Sequence, residues 1–127
     1  MRFWLLAPLL FVLAGCTRDE RGASKVTAAT ASTWEKDVLS APGPVLVDFG
    51  ASWCPPCREM DPIVASLSKE FQVRKIDVDS EPELARMYKV SSIPRLLIFV
   101  DGKIARDHKG FTRESILRSD LQELSRK

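Results

Sequence analysis

The stretch VLVDFGASWCPPC occupies residues 45–57 and joins a predicted strand to a predicted helix. Residues 45–49 are almost continuously apolar, which is typical of a strand that a parallel or mixed α/β sheet buries on both faces. Cys54 and Cys57 follow at the junction. Two cysteines this close in sequence can close a disulfide or open to a dithiol. Because the same spacing occurs in zinc and haem sites, the pair alone leaves redox, metal-binding and purely structural roles open.

The segment after the second cysteine has the spacing of an amphipathic helix. Its apolar residues recur three and four positions apart, at Met60, Ile63, Val64 and Leu67. We therefore predict a helix that runs to about Glu70. Pro62 stands inside this helix and removes the amide that would bond to Arg58, which predicts a kink.

The rest of the chain alternates predicted strands and helices. Capping-box patterns place helix starts at Ser32, with Glu35 three residues on, and at residues 80–83. Thr112 is predicted to cap the last helix. Strands are predicted over residues 73–78, 96–100 and 103–107, with an Asp101-Gly102 turn between the last two and a short edge strand at 25–29. The order βαβαβαββα predicts an α/β fold with helices on both faces of a sheet.

Residues 1–15 resemble a bacterial lipoprotein signal peptide. An apolar run over residues 3–14 is too short to span a bilayer comfortably, and it ends in Leu-Ala-Gly-Cys16, which looks like a lipobox. We predict cleavage before Cys16, lipidation of its thiol, and a flexible tether over residues 16–31. Thr17 favours an outer-membrane destination by analogy with enteric bacteria. An uncleaved anchor or a plain secretory signal is the alternative.

The composition is that of an ordinary globular chain with a mixed-sign surface. The 127 residues include 19 basic and 17 acidic ones, which leave a net charge of +2. Without a basic block we expect no nucleic-acid partner, and residues 32–127 are predicted to form one domain. His108 is the one histidine, so a four-ligand zinc site around the cysteines is hard to build, and we expect neither a metal nor another cofactor.

Together these segments resemble the thioredoxin family. The segment at 45–58 is followed by Pro62, by KIDVD at 75–79, by YKVSSIP at 88–94, by the Asp-Gly turn and by Gly110. The resemblance spans about residue 32 to the C-terminus. It implies the thioredoxin fold, in which a central mixed sheet of five (or four) strands, in the order 1-3-2-4-5, is flanked by four helices.

The position of each cysteine predicts its role. Cys54 lies at the predicted N-terminus of a helix, where the partial positive charge favours a thiolate that attacks a partner disulfide. Cys57 lies one turn further in and is expected to be buried and to resolve the mixed disulfide. The resemblance implies that Asp48 assists the deprotonation of Cys57, and that Lys75 modulates Asp48. The alternative for Asp48 is that it faces a polar edge.

The resemblance also implies a substrate groove around the cysteines. Ile93-Pro94 matches the cis-proline loop of the family, which offers backbone groups to a substrate chain. Trp53 is expected to be exposed and to form contact surface, with packing in the core as the alternative. Arg95 follows the proline where Thr is usual, and it is expected to line the groove.

Other positions depart from the family pattern. Gly50 replaces a common aromatic residue, which is expected to loosen the packing near the site, and Ser92 stands where glycine is frequent. Pro55 and Pro56 stand where a Gly-Pro pair is common. The first turn of the helix therefore lacks two N–H groups, one of which a Gly-Pro pair would have kept. Because those amides could solvate a Cys54 thiolate, their loss predicts a reducing couple.

We therefore expect an exported, membrane-tethered thiol–disulfide oxidoreductase that reduces envelope or periplasmic proteins. Because that compartment is oxidising, a transmembrane thiol electron donor is the expected partner, and we expect the protein to be a monomer. A thiol oxidase that donates disulfides is the close alternative, since direction depends on potential and partner. A copper-binding module that uses the two thiols as soft ligands is the more distant one.

Overall fold

Residues 26–127 are described by the computed structural model. A π-helical turn spans Glu35–Leu39, and the other elements are β1 (Thr27–Ala28), β2 (Val45–Gly50), α1 (Pro55–Leu67), β3 (Gln72–Asp77), α2 (Pro82–Met87), β4 (Arg95–Val100), β5 (Lys103–Lys109) and α3 (Glu114–Ser125). The predicted signal peptide, Cys16 and most of the predicted tether lie outside the described residues. Within residues 26–127, no helix is long and apolar enough to cross a membrane.

The five strands form one mixed sheet in the order β1-β3-β2-β4-β5. The central strand, β2, pairs in parallel with β3 and antiparallel with β4. The predicted strand order is confirmed, and so is the short edge strand, because β1 pairs with β3 ahead of residue 32. Asp101 and Gly102 join β4 to β5 with φ of 52° and 76°, which is the left-handed geometry that a two-residue hairpin requires.

The alternation of side chains along β2 divides the core into two layers. One layer contains Val45, Val47 and Phe49 together with the rings of Trp34, Tyr88 and Phe99, whose centroids lie 5.3–6.4 Å apart in the contacting pairs. The other layer packs Leu46 against apolar residues of α1 and α3. Asp48 is two residues beyond Leu46, so the period of a strand turns its carboxyl toward α1.

The capping box predicted at Ser32 is wrong. The hydroxyl of Ser32 lies 2.8 Å from that of Thr30 and caps no helix. Thr30 instead donates its N–H to the hydroxyl of Thr33 at 3.1 Å. In the predicted box the N–H of Ser32 would bond to the side chain of Glu35, so the observed bond lies two residues earlier in the chain. The segment that follows is a single π-helical turn, closed by a 2.7 Å bond from the N–H of Ser40 to the carbonyl oxygen of Glu35.

The other two predicted caps are also wrong, because the side chains have different partners. At residues 80–83 the predicted box pairs Ser80 with Glu83, but the carboxylate of Glu83 accepts hydrogen bonds from the guanidinium of Arg86 at 2.7 Å, and no side chain among the described residues caps α2. The hydroxyl of Thr112 donates to the carbonyl oxygen of Gly110 at 3.1 Å, and α3 likewise has no cap from a side chain in the part of the chain that the structure describes. At α2, an ion pair within the helix therefore takes the carboxylate that the prediction assigned to the cap.

Candidate active site

The two cysteines form a disulfide at the N-terminus of α1, with Cα atoms 5.2 Å apart. Cys54 is the N-cap residue, and its Sγ accepts the N–H of Cys57 at 3.3 Å. Pro55 and Pro56 occupy the first two helical positions. Because proline has no N–H, Cys57 is the first residue of α1 that can donate an amide to the sulfur of Cys54.

Both cysteines are buried, in a small cluster with Ala51. The burial of Cys57 agrees with the prediction, whereas Cys54, which was expected to be accessible, is only 3% exposed in this disulfide form. Ile93 covers it from the opposite loop, and the carbonyl oxygen of Ile93 lies 3.9 Å from Cys54 Sγ. The Ile93-Pro94 peptide is cis, as predicted, so the cis-proline loop faces the disulfide.

Trp53, which precedes the disulfide, and Arg95, which follows the cis-proline, differ in exposure. Trp53 is 64% exposed and its indole N–H donates to Asp79 at 2.7 Å, which excludes packing in the core. Arg95 is buried, and its guanidinium donates two hydrogen bonds to the carboxylate of Asp107 at 2.6 and 2.7 Å. The side chain of Arg95 is therefore held by β5 rather than offered to a substrate, which differs from the expectation.

Asp48 is a buried carboxyl with an unpartnered oxygen. Its side chain is 1% exposed, and Oδ1 has no hydrogen-bond partner among the described residues. Burial raises the pKa of Asp48 from 3.8 to about 6, and the positive charge of Lys75 partly opposes that rise. The polar edge that was the alternative environment for Asp48 is excluded, and the carboxyl can exchange a proton close to neutral pH.

A cavity of about 280 Å³ connects Asp48 with the second cysteine; its lining includes Asp48, Gly50, Cys57, Asp61 and Lys75. Gly50 accounts for part of this space, because a Cβ built on it would lie 3.3 Å from Cys57 Sγ and 3.9 Å from Asp48 Oδ1. The glycine thus leaves open the space between the carboxyl and the sulfur, in agreement with the looser packing expected there. Lys75 donates to Asp61 at 2.5 Å beside this cavity.

The comparison with known proteins identifies the family. A family model described as thioredoxin matches residues 25–123. The chain belongs to the thioredoxin family. The thioredoxin of Mycobacterium tuberculosis is 40% identical over 113 residues, which cover 85% of this chain and 95% of that protein.

Two further relatives of this thioredoxin-family chain differ in organisation and in source. The bifunctional thioredoxin reductase/thioredoxin of Mycobacterium leprae is 36% identical over 110 residues, which are 84% of this chain and 24% of that protein. Among solved structures, a mutant thioredoxin from Halobacterium salinarum matches with a TM-score of 0.75 and 31% identity, covering 82% of this chain and 94% of that one.

This family membership and the Cys54–Cys57 pair make the chain a thiol–disulfide oxidoreductase. Such an enzyme works by exchanging the disulfide in its own chain with that of a partner. Within residues 26–127, no group of three or more histidine, cysteine or acidic side chains is placed to hold a metal ion.

Sequence reasoning missed three acidic residues that hold functional side chains in this thioredoxin-like site. They are Asp61, Asp79 and Asp107, which bind the side chains of Lys75, Trp53 and Arg95. For Asp61 a signal was available, since it lies four residues after Cys57 and therefore on the same face of α1. For the other two, the partner follows from the packing of distant segments, and no local pattern marks it.

Asp48 should make the stability of the oxidised protein depend on pH. Its pKa of about 6, against an ordinary 3.8, means that between these values the folded chain keeps a proton that the unfolded chain has lost. The contribution of the protonated Asp48 carboxyl to the free energy of unfolding is therefore fully present below about pH 4. It is lost as the pH rises through 6, and the total loss is about 3 kcal/mol. Asp48→Asn removes this titration. The unfolding free energy of the variant, relative to that of the native protein, should therefore rise by about 3 kcal/mol between pH 3 and pH 7.

Urea denaturation with the disulfide intact measures this difference. Glu59→Gln is the matched control, because it removes one exposed carboxylate from α1 and should leave the difference from the native protein nearly constant. Parallel curves for Asp48→Asn and the native protein across this pH range would contradict the assignment of a raised pKa to Asp48.

Proposed function

We propose that this protein reduces disulfides in proteins of the bacterial cell envelope, to which a lipid on Cys16 tethers it. The observation that carries the direction of the reaction is the N-terminus of α1, where Pro55 and Pro56 leave the amide of Cys57 as the donor at the Cys54 sulfur. Fewer donors stabilise a thiolate less, and a dithiol that is less stabilised is a better reductant.

The exchange takes two steps. The Cys54 thiolate attacks one sulfur of a client disulfide, the client S–S bond breaks, and the departing client thiolate takes a proton from water. The Cys57 thiolate then attacks the Cys54 sulfur of the mixed disulfide and releases the second client thiolate. Two electrons pass to the client, and the product is the Cys54–Cys57 disulfide that the structure contains.

Asp48 is the proposed acceptor of the proton that Cys57 must lose before the second step. The carboxyl borders the same cavity as Cys57, and its pKa of about 6 suits a group that takes up and returns protons near neutral pH. Lys75 modulates this carboxyl through its positive charge, which lowers the pKa of Asp48. Asp48 and Lys75 thus support the chemistry of the sulfur atoms without bonding to them.

The proposed client-binding surface is the loop at Ile93 and Pro94 together with the exposed ring of Trp53. Ile93 lies against Cys54, so a client chain that pairs with the backbone of this loop would bring its disulfide next to the attacking sulfur. Arg95 contributes through its main chain, since its side chain is bonded to Asp107. Because Ile93 covers Cys54, this loop has to shift when a client binds.

The proposed location rests on residues 1–16 of the sequence. An apolar run that ends in Leu-Ala-Gly-Cys16 supports export and lipid attachment, and Thr17 favours the outer membrane. Outside the cytoplasm the protein would need a membrane-spanning thiol donor to return it to the dithiol form. We propose that it acts there as a monomer.

The two cysteine roles predict different failures. Cys54→Ser should abolish the reduction of insulin disulfides, because the attacking thiolate is lost. Cys57→Ser should also stop turnover but should accumulate a covalent adduct with the substrate, visible on a non-reducing gel and released by dithiothreitol. Insulin reduction by Cys54→Ser at the native rate would refute the assignment of these roles.

The reduction potential of the Cys54–Cys57 couple tests the direction of electron flow. Equilibration with glutathione buffers should give a value near ~−270 mV, the level of thioredoxin, because the proline pair removes donors to the thiolate. Replacing Pro55 with glycine restores one amide and should make the couple more oxidising. A native value near ~−120 mV would instead identify a disulfide-donating oxidase.

Lipid attachment predicts the behaviour of a Cys16→Ser variant. In a bacterial host the native protein should sediment with membranes, and the variant should not, because multiple acyl chains give firm anchoring. Cys54→Ser is the matched control, since it removes a different thiol and should stay with the membranes. A Cys16→Ser protein that still sediments with them would rule out the lipid anchor.

A further inference from the structure

The bond made by Lys75 is unexpected from its place in the sheet. Asp48 and Lys75 are register partners on the parallel strands β2 and β3, so their side chains leave the same face of the sheet side by side. A buried carboxylate is the natural partner of an ammonium group that leaves the neighbouring strand on the same face. The ammonium nevertheless bonds to Asp61 of α1 at 2.5 Å, and Oδ1 of Asp48 has no hydrogen-bond partner within residues 26–127.

The charged and titratable groups around Asp48 come from two elements. Lys75 and Asp77 of β3, and Cys57, Arg58 and Asp61 of α1, border the same cavity as the carboxyl. On the other side, the register partner of Asp48 on β4 is Leu96, which carries no charge. Among the charged groups that border the cavity, Lys75 and Asp61 are the two whose charges act appreciably on Asp48.

We propose that Asp61 is a positioning residue for the thiol–disulfide exchange, which holds the Lys75 ammonium against α1 and away from Asp48, so that Asp48 remains free to exchange a proton beside Cys57. The inference rests on the role of Asp48 given under the proposed function. Asp61 does not touch the reacting sulfur atoms; it acts through Lys75 and through its own charge.

The two effects of Asp61 on Asp48 have the same sign. The negative charge of Asp61 raises the pKa of Asp48, and the positive charge of Lys75 lowers it. Removing the charge of Asp61 ends the direct repulsion and also frees Lys75 to turn toward Asp48, so both changes favour the ionised form of Asp48. The pair can separate without disrupting the core, because the side chains of Lys75 and Asp61 are 40% and 48% exposed.

The test is the titration of Asp48 in the oxidised protein, followed by carboxyl ¹³C NMR, in Asp61→Asn. The midpoint should fall by roughly one pH unit relative to the native protein. Lys75→Gln should raise the midpoint, and Asp61→Asn should shift it less in the Lys75→Gln background, because only the direct repulsion remains to be removed. Glu59→Gln, an equal change of charge on the exposed face of α1, should leave the midpoint unchanged.

An Asp48 midpoint in Asp61→Asn equal to that of Glu59→Gln would overturn the proposal. The rate of insulin reduction against pH then separates this proposal from the proposed function. If Asp48 accepts the Cys57 proton, the acid limb of the rate–pH profile of Asp61→Asn should move to lower pH by the same amount as the NMR midpoint. A shifted midpoint with an unshifted acid limb would support the positioning of Lys75 and reject the role of Asp48 in the reduction.

Discussion

The arrangement of the site depends on the complete burial of β2. Every residue of this strand is buried, between β3 and β4 in the sheet and between two apolar layers above and below it. A slip of one residue would turn Asp48 toward the aromatic rings and Val47 toward α1, so the register is strongly specified. Parallel pairing with β3 then sets Lys75 beside Asp48, and antiparallel pairing with β4 brings the start of β4, just after Pro94, to the end of β2 that leads to Cys54.

This central strand also contains the feature that conflicts most with stability. A carboxyl at the middle of a buried strand has lost its water, and the raised pKa of Asp48 expresses that loss. An apolar residue at this position would pack better, but it could not move a proton. Gly50, two residues on and on the same side, leaves space beside the same carboxyl. Stability and chemistry thus oppose each other within one short segment.

Much of the fold and part of the site could be predicted from the sequence. The apolar run of β2, the helical spacing after Cys57 and the Asp101-Gly102 turn are local signals, and the strand order and the cis peptide followed from the family resemblance. The helix caps failed because each depends on which of several nearby groups an amide meets. The bond of Arg95 could not be predicted, since Asp107 lies 12 residues away in sequence. Asp61, the partner of Lys75, was marked only by its place on the same face of α1 as Cys57.

The ion pair between Arg95 and Asp107 is unequally buried, with side-chain exposures of 9% and 40%. Loss of Asp107 alone would leave a guanidinium enclosed next to the cis-proline loop without a counter-ion, whereas loss of Arg95 alone leaves a carboxylate that water can still reach. Substitutions of Arg95 and Asp107 therefore have a preferred order. Arg95 can be exchanged first, and Asp107 becomes free to vary only afterwards, whether the changes arise by natural drift or in a library of variants.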